Sequence, residues 1–402
     1  MSPSSARQCG RWLRQQLAPG ARLCADSRRV GAGDGFIAFA GDRHDGRAFI
    51  GQALAGGAGA VLYDADAAAG LYDADAVAAI PATTMPMKAC PDLRRVAGEV
   101  ASVFYEEPSK AIALIAFTGT NGKTTCADWC AAGLGAGGMR SASLGTLGLR
   151  RHPRDGSASM PGDMPGSLTT PDAVALQDTL AGLRDQGVSH VALEASSIGI
   201  ERHRLNGCQV AVAVFTNLSR DHLDFHGDMA SYARAKAALF AMPGLRGAAL
   251  NGDDPAAAEM LAALPADVPL ILFGERPAAP ARASVLRLAG LQPTATGSHL
   301  MIEGDHGSAR VALGVPGMFN ARNALAVLAS WLHLGVGFER ACQWLETLVS
   351  VPGRLQPVGG QGAPLVVIDY AHTPDALLAA LDALRPNARR AAAGSGVVRL
   401  WW

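Results

Sequence analysis

A glycine-rich turn that follows an apolar segment is the stretch of this chain best suited to chemistry. Residues 112–118 are apolar and β-branched, which is typical of a buried strand, and a helix can begin at Thr124. Gly119 and Gly122 let the backbone approach phosphate oxygens, while amides of the loop and of the helix start point at the anion. Lys123 adds a positive charge beside the transferring phosphate, and the Thr124 hydroxyl is placed for Mg²⁺. The spacing therefore predicts a nucleotide phosphate loop.

This loop departs from the common pattern G-x-x-x-x-G-K-[ST]. The position expected to hold the first glycine is Phe117, and the first glycine is Gly119. A Gly-Lys-Thr turn alone is often structural. The longer string T-G-T-N-G-K-T-T directly after an apolar strand favours phosphate binding.

Two other predicted strands end in side chains that can bind a metal. Residues 188–193 lead to Glu194, and residues 210–215 lead to T-N-L-S-R-D-H-L-D-F-H-G, which contains Asp221 and His222. A carboxylate at the C-terminal end of a strand beside a phosphate loop is suited to Mg²⁺. A lone histidine in a sequence more often has a structural role than a metal-binding one. Lys236 lies on a predicted helix over 232–240, and that helix alone suggests an exposed lysine.

The elements around these residues predict an α/β protein in three parts. Residues 1–108 predict a small α/β domain with a strand over 36–40 and a helix over 48–55, and Pro108 favours a boundary. Residues 109–352 form the central domain. In that domain, the alternation of apolar and polar residues over 283–313 predicts antiparallel strands. A helix is predicted over 172–186, with Thr170 as its N-cap and Pro171 at its first position. Asn320 reads as the N-cap of a later helix, and residues 353–402 begin a third domain.

Composition sets limits on function and location. The 402 residues are 49% apolar, 17% charged and of zero net charge, which indicates a globular protein and argues against nucleic-acid or acidic-membrane partners. The seven cysteines lack metal-site spacing, and Cys126 and Cys130 read as buried thiols. With no membrane-length apolar run, these features predict a cytoplasmic protein.

Several motifs together resemble the Mur ligase family, and most closely its MurE-type members. They are the phosphate loop, T-N-L-S-R-D-H-L-D, D-S-R at 26–28 and H-D-G at 44–46, and the resemblance spans residues 20–388. It implies the three-domain architecture, with a central phosphate-loop domain built on a parallel sheet. It also implies a monomer that uses ATP and Mg²⁺ to join the glutamate carboxylate of a UDP-muramoyl dipeptide to a diamino acid through an acyl phosphate. The expected diamino acid is meso-diaminopimelate.

The resemblance assigns roles residue by residue. The catalytic residues are Lys123, Lys236 and His222. The ATP site comprises Gly119, Thr120, Asn121, Gly122, Lys123, Thr124, Thr125, Asn320, Arg354, Asp369 and His372. The UDP-substrate site comprises Ser27, Arg28, His44, Thr169, Thr170, Ser196, Arg202 and Arg204. The Mg²⁺ ligands are Thr124, Glu194, His222 and Lys236, the last after carbamylation by CO₂. Two positions depart from the family pattern: Ile198 replaces a histidine, and Arg202 stands where glutamine is commoner.

The end of the sequence raises a further expectation. The resemblance stops near Arg389, before a glycine-rich segment and an amino-acid motif of the family, which would occupy roughly another hundred residues. The last twelve residues, A-A-A-G-S-G-V-V-R-L-W-W, resemble an out-of-frame segment, so the third domain is expected to be incomplete.

Other functional interpretations remain open from the sequence. An inactive truncated form would bind only UDP-muramoyl peptide or ATP. A lysine-adding, MurF-like or folate-polyglutamating relative would share the loop. A phosphate-loop kinase or NTPase would lack the N-terminal domain.

Overall fold

The computed structural model describes residues 3–41, 44–65, 84–154, 160–161, 168–278, 280, 282–294, 296–359 and 365–395. The chain divides into two compact units. Unit 1 comprises Met1–Ile112, Thr170–Gly187 and Ile198–Gln209, and unit 2 comprises Ala113–Thr169, Val188–Ser197 and Val210–Trp402. The division at 1–108, 109–352 and 353–402 stays a prediction, and much of the predicted aberrant tail lies outside the described residues.

The described elements alternate between strands and helices along most of the chain. The helices are α1 Pro3–Gln16, α2 Ile50–Ala55, α3 Leu93–Phe104, α4 Lys123–Ala136, α5 Ala173–Asp185, α6 Ser197–Glu201, α7 Leu223–His226, α8 Met229–Ala237, α9 Ala257–Ala263, α10 Met318–His333, α11 Phe338–Glu346 and α12 Pro374–Ser395. The strands are β1 Leu23–Cys24, β2 Gly35–Ala38, β3 Ala60–Asp64, β4 Met87–Cys90, β5 Ala113–Thr118, β6 Ser141–Gly145, β7 Gly148–His152, β8 Met160–Pro161, β9 His190–Glu194, β10 Val210–Phe215, β11 Gly247–Asn251, β12 Leu270–Gly274, β13 Ala283–Pro293, β14 Ser298–Gly304, β15 Gly307–Leu313, β16 Gln356–Gly359 and β17 Leu365–Ile368.

Unit 1 is built on a parallel sheet in the order β1-β2-β3-β4. Helices α1 and α3 cover it through a cluster that includes Leu13, Ile37, Leu62 and Val100. The predicted strand at 36–40 is confirmed as β2, two residues shorter at its end. The predicted helix at 48–55 begins with a 3₁₀ turn, Gly46–Phe49, before α2.

Unit 2 is built on a larger sheet, in which eleven described strands follow the order β15-β14-β13-β12-β11-β10-β5-β9-β6-β7-β8. Neighbours from β13 through β6 are parallel, whereas β13-β14-β15 and β6-β7-β8 are antiparallel. The parallel centre and the antiparallel excursion over 283–313 are therefore as predicted. Because β5, β9 and β10 are adjacent and parallel, their C-terminal ends meet at one edge.

Helices α4 and α10 pack together in the core of unit 2. Trp129, Trp331 and Trp344 are buried there, and the Trp331 indole N–H donates to the Cys130 carbonyl oxygen at 3.1 Å. Cys126 and Cys130 are buried free thiols, as predicted. Among the described helices, none has both the length and the apolarity needed to cross a membrane.

Two predicted helix starts are wrong. Asp172, not Thr170, caps α5, because its carboxylate accepts from the Val174 and Ala175 N–H groups at 3.1 and 3.0 Å. The first helical residue is Ala173 rather than Pro171. The helix α10 begins after Gly317, and the Asn320 side chain lies inside it, where its amide donates back to the Pro316 carbonyl oxygen at 2.8 Å.

The cap of α5 gives a prediction about stability. Asp172→Ala should lower the free energy of unfolding by about 1 kcal/mol, because two N–H groups at the helix start lose their acceptor. Urea denaturation measures the change. Asp185→Ala removes an exposed carboxylate at the other end of α5, where a negative charge has no favourable dipole interaction, and should leave stability within about 0.5 kcal/mol. Equal losses in both variants would contradict the capping role.

Candidate functional site

The predicted phosphate loop lies between β5 and α4. Gly122 has φ of 90°, and a side chain there would overlap the Asn323 amide, so both backbone conformation and space require glycine. The Lys123 ammonium donates to the carbonyl oxygens of Gly119 and Thr120 at 2.8 and 2.9 Å. Burial lowers the pKa of Lys123, and the charges of Glu194 and Asp221 oppose this. The loop thus holds the Lys123 ammonium by hydrogen bonds to its own backbone carbonyl oxygens.

A pair of oxygen ligands lies beside this cation. The Thr124 hydroxyl donates to Glu194 Oε2 at 2.9 Å, and the Thr146 N–H donates to Glu194 Oε1 at 2.6 Å. Burial raises the pKa of Glu194, and the charge of Lys123 is the largest opposing influence. The predicted juxtaposition of Thr124 and Glu194 at one edge of the sheet is therefore present.

These groups open into a cavity of about 400 Å³ within unit 2. Its walls come from the phosphate loop, the segment after β10, α10 and the start of the third predicted domain. The lining residues that could contact a nucleotide include Thr120, Asn121, Gly122, Lys123, Thr124, Thr125, Asn217, His222, Asn251, Phe273, Phe319, Arg322, Asn323, Arg354, Asp369 and His372. A cavity of this size, with one apolar wall and convergent polar groups, suits a nucleotide.

The donor atoms at this edge fit Mg²⁺. Hydroxyl and carboxylate oxygens are the hard ligands that Mg²⁺ prefers, and Thr124 and Glu194 supply both. His222 lines the same cavity, its imidazole 42% exposed and 3.5 Å from Asp221. Within the described residues, no group of three or more His, Cys, Asp or Glu side chains is arranged to hold a metal.

Lys236 is not the exposed lysine that its helix alone suggests. It is 1% exposed in α8, and its ammonium lies 4.2 Å from the centre of the Tyr232 ring. Burial lowers the pKa of Lys236 well below its usual value, and Lys123 adds to the effect. Within the described part of the chain, Lys236 does not line the cavity. Because the neutral amine is favoured, Lys236 is suited to react with an electrophile such as CO₂.

The segment after β10 holds the aromatic wall next to Lys236. Tyr232 Oη lies 3.2 Å from Thr120 Oγ1 of the phosphate loop. The His226 ring packs on the Tyr232 ring with centroids 5.0 Å apart, and His226 Nε2 lies 2.9 Å from Ser197 Oγ. Burial lowers the pKa of His222, although Asp221 opposes this. His222 is thus favoured in the neutral form that binds metals.

The residues predicted to face ATP from the third domain reach the same cavity. Arg354 donates to the Thr124 hydroxyl oxygen at 3.0 Å and lies 4.6 Å from the centre of the Tyr370 ring. Asp369 accepts from the N–H groups of Leu355 and Ala371, both at 2.8 Å. Asn320 is 4% exposed and does not line the described cavity, whereas Asn323 does. The assignment of Asn320 to the nucleotide thus gains no geometric support.

The predicted UDP-substrate residues are divided between the units. In unit 1, Ser27 donates to Gln52 of α2 at 2.8 Å, and His44 packs against Phe49 just before α2. The exposed Arg28 forms an ion pair with Asp26 at 2.7 Å. Ser27 and His44 thus lie near α2.

The remaining members lie on other segments. Also in unit 1, Arg204 donates to the carbonyl oxygen of the buried Thr170 at 2.9 Å, and Arg202 is half-buried nearby in sequence. In unit 2, Thr169 lines the cavity, with its hydroxyl 3.4 Å from that of Thr146, and Ser196 follows Glu194.

Sequence reasoning missed several residues of this site. Asn217 Oδ1 accepts from the Asn121 N–H at 2.9 Å, and Thr146 holds Glu194. Asn217 and His226 belong to the motif T-N-L-S-R-D-H-L-D-F-H-G, so a signal for them existed. Thr146 contacts Glu194 through its backbone N–H, and a backbone contact of this kind cannot be predicted from the residue type.

Comparison with known proteins agrees with this fold and this site, which together define a phosphate-loop nucleotide-binding protein. The model of the Mur ligase middle domain matches residues 117–331, and that of the Mur ligase family, catalytic domain, matches residues 22–105. The chain belongs to the Mur ligase family.

Relatives in this family cover most of the chain. A UDP-N-acetylmuramoyl-L-alanyl-D-glutamate--2,6-diaminopimelate ligase from Janthinobacterium sp. (strain Marseille) is 41% identical over 93% of this chain and 72% of its own length. The Pseudomonas aeruginosa protein of that name is 41% identical over 91% of this chain and 71% of its own length.

Solved structures agree with the fold. A structure of a ligase of the same name has a TM-score of 0.72 and 32% identity, covering 90% of this chain and 70% of that chain. A MurF ligase from Thermotoga maritima in complex with ADP has a TM-score of 0.62 and 20% identity, covering 91% of this chain and 74% of that chain, which shows a shared fold.

Proposed function

We propose that this protein is an ATP-dependent ligase that adds meso-diaminopimelate to UDP-N-acetylmuramoyl-L-alanyl-D-glutamate in peptidoglycan synthesis. The relatives that match more than nine-tenths of the chain carry this name. The observation that carries the reaction type is the buried amine of Lys236, which lies against the Tyr232 ring and whose pKa is influenced by the charges of Lys123 and Asp221, since a plain kinase has no need of it. ATP, the UDP-muramoyl dipeptide and the diamino acid are the substrates, and a cytoplasmic monomer remains the expected form.

The first step is phosphoryl transfer to the substrate's glutamate carboxylate. A carboxylate oxygen attacks the γ-phosphorus of ATP, the bond to the β–γ bridging oxygen breaks, and ADP leaves with the bonding electron pair. Lys123 is held where it can exchange the Gly119 and Thr120 carbonyl oxygens for phosphate oxygens. Its charge stabilises the negative charge that develops in transfer. In the second step the amine of the diamino acid attacks the acyl carbon, the acyl carbon–oxygen bond breaks so that phosphate leaves with the electron pair, and the nitrogen loses a proton to give the amide.

Thr124, Glu194 and His222 would hold Mg²⁺, which neutralises charge on the triphosphate and the substrate carboxylate when bound. Lys236 would join them after its neutral amine attacks the carbon of CO₂ and loses a proton, giving an anionic carbamate. The modification replaces a buried amine by an anionic oxygen ligand. Arg354 and Asp369 would then contact ATP from the third part of the chain.

Ser27, Arg28 and His44 would bind the uridine diphosphate. Hydroxyl and guanidinium donors suit a uracil and a diphosphate. The exposed Arg28 can exchange Asp26 for a phosphate at small cost, since exposed ion pairs contribute little. Thr169, Thr170, Ser196, Arg202 and Arg204 are proposed for the remainder of the substrate on the resemblance alone.

The reaction type can be tested without the diamino acid. The chain, UDP-muramoyl dipeptide and ATP should form an acyl phosphate, which borohydride reduces to an alcohol detectable by mass spectrometry. Omitting ATP or replacing the dipeptide by UDP provides the control. ATP hydrolysis that is independent of the dipeptide, with no trapped alcohol, would contradict the proposal.

Amino-acid choice gives a second prediction. In a chain that carries the family's amino-acid motif, the value of kcat/KM for meso-diaminopimelate should exceed that for L-lysine by at least about 100-fold, because diaminopimelate carries a second carboxylate that lysine lacks. Product formation with each amino acid at equal ATP measures the ratio. A preference for lysine would refute the assignment while leaving the ligase mechanism intact.

A further inference from the structure

We propose that Asp128 is a positioning residue that fixes the carboxylate of Glu194 for metal binding. Asp128 and its three partners Ser143, Arg150 and His152 are called the clasp below. The inference rests on the proposed function, because it concerns the Mg²⁺ site described above. It concerns a residue that none of the motifs includes.

Asp128 is a buried carboxylate in an otherwise apolar part of α4. It is 7% exposed, and such a charge requires partners. The Ser143 hydroxyl donates to Asp128 Oδ1 at 3.0 Å, and Arg150 Nε and His152 Nε2 lie 3.0 and 3.3 Å from the same oxygen. Burial raises the pKa of Asp128, but these partners together hold it below its usual value, so the group is ionised.

All three partners belong to one hairpin. Ser143 lies on β6 directly opposite Arg150 on β7, and His152 lies two residues further along β7. Asp128 therefore fastens α4 to both strands of this hairpin at a single point.

The tip of the same hairpin holds Glu194. The Thr146 N–H donates to Glu194 Oε1, and the Thr146 hydroxyl lies 3.3 Å from Oε2. A side chain on Gly145 would overlap the Glu194 carboxylate, which shows how closely the hairpin backbone approaches it. A further contact to Glu194 comes from Thr124, one helical turn before Asp128 in α4.

Glu194 is thus held between two elements that Asp128 joins. A cavity of about 10 Å³, lined by Thr124, Asp128, Ser143 and Glu194 among others, separates the clasp from the carboxylate. Loosening the clasp would let the hairpin tip move away from α4. The two oxygens of Glu194 would then lose their fixed positions, and metal affinity falls when such supporting contacts are lost.

The test measures metal binding directly, with Mn²⁺ as the probe. Electron paramagnetic resonance of the full chain with saturating ADP gives the Kd of Mn²⁺. Asp128→Asn keeps the shape of the side chain but removes its charge. Arg150→Gln removes the ion pair with Asp128 at a side chain that is 22% exposed. Both should raise the Kd about 10-fold or more. The Mg²⁺ concentration for half-maximal activity should rise in parallel, with kcat at saturating Mg²⁺ within about threefold of wild type.

Ser141→Ala is the matched control. Its hydroxyl donates to the Ala131 carbonyl oxygen at 2.6 Å rather than to Asp128, so it joins the same helix to the same strand by a separate hydrogen bond. Its Kd for Mn²⁺ should stay within about twofold of wild type.

The outcomes separate this inference from the proposed function. Wild-type binding of Mn²⁺ with unchanged Kd in both clasp variants would overturn the inference alone. A loss of kcat at every Mg²⁺ concentration with unchanged Kd would also overturn it, since Asp128 would then be only structural. Failure of the wild type to bind Mn²⁺ would contradict the proposed metal site itself and remove the basis of the inference.

Discussion

Lys123→Ala should lower the rate of acyl-phosphate formation by about 1000-fold or more. Lys123 is the loop cation whose ammonium lies within 2.9 Å of two loop carbonyl oxygens, where phosphate oxygens would replace them. In phosphoryl transfer the protein acts mainly through positioning and charge, and a single well-placed donor contributes 10²–10³-fold, with a cation contributing more. Single-turnover borohydride trapping with ATP and the UDP-muramoyl dipeptide measures this step without product release.

A charge-matched control distinguishes the local effect from a change in net charge. Lys110→Ala removes a half-exposed lysine that pairs with Glu107 at 2.7 Å in unit 1. Its trapping rate should equal that of the wild type. Binding of the UDP-muramoyl dipeptide by calorimetry should be the same in both variants, since the proposed uridine contacts lie elsewhere. A Lys123→Ala rate within threefold of wild type would exclude this loop as the phosphate site.

The sheet and the edge that carries the site could be predicted from the sequence because their signals are local. Buried parallel strands are continuous apolar runs, and residues 112–118 and 210–215 have that pattern. Glu194 follows such a run, so its place beside Thr124 follows from the geometry of parallel strands. The observed distance of 2.9 Å between the Thr124 hydroxyl and Glu194 agrees with that prediction.

Sequence reasoning fell short at three places. The helix around Lys236, taken alone, suggested an exposed lysine, yet Lys236 is buried against the Tyr232 ring of the same helix and is influenced by the charge of Lys123 from the phosphate loop. The predicted cap at Thr170 was wrong because three adjacent residues can all start a helix, and the Asp172 carboxylate reaches two N–H groups. Asp128 was not singled out, since its partners lie on a hairpin 15 to 24 residues later in the chain.

Lys236→Ala should reduce ligation by about 100-fold or more, and short carboxylates such as acetate should restore part of it. The magnitude follows from the loss of a metal ligand. An added carboxylate supplies the anionic oxygens that the carbamate would have supplied. Arg234→Ala is the control, because it removes an exposed cation from the same helix, where Arg234 bonds to Ser231 at 2.8 Å. It should retain wild-type activity and show no response to acetate.

The pH dependence of activity, with and without acetate, tests whether the neutral amine of Lys236 is the group that reacts with CO₂. Burial lowers the pKa of Lys236 well below the usual value, so the amine is neutral above this lowered pKa and protonated below it. Only the neutral amine attacks CO₂. Wild-type activity should therefore fall as pH falls through the lowered pKa, whereas Lys236→Ala with acetate should lack this decline as long as acetate stays ionised.

Protein stability gives a second measurement of the same group. Between the lowered folded pKa and the higher unfolded pKa, the unfolded chain binds more protons, so the free energy of unfolding decreases as pH falls. In CO₂-free buffer, Lys236→Met should remove this slope, and ¹³C NMR with labelled CO₂ should show a carbamate signal in the wild type that the variant lacks. A wild-type enzyme with full activity, normal Mg²⁺ dependence and no carbamate signal would exclude Lys236 as a modified ligand and leave its burial without a catalytic role.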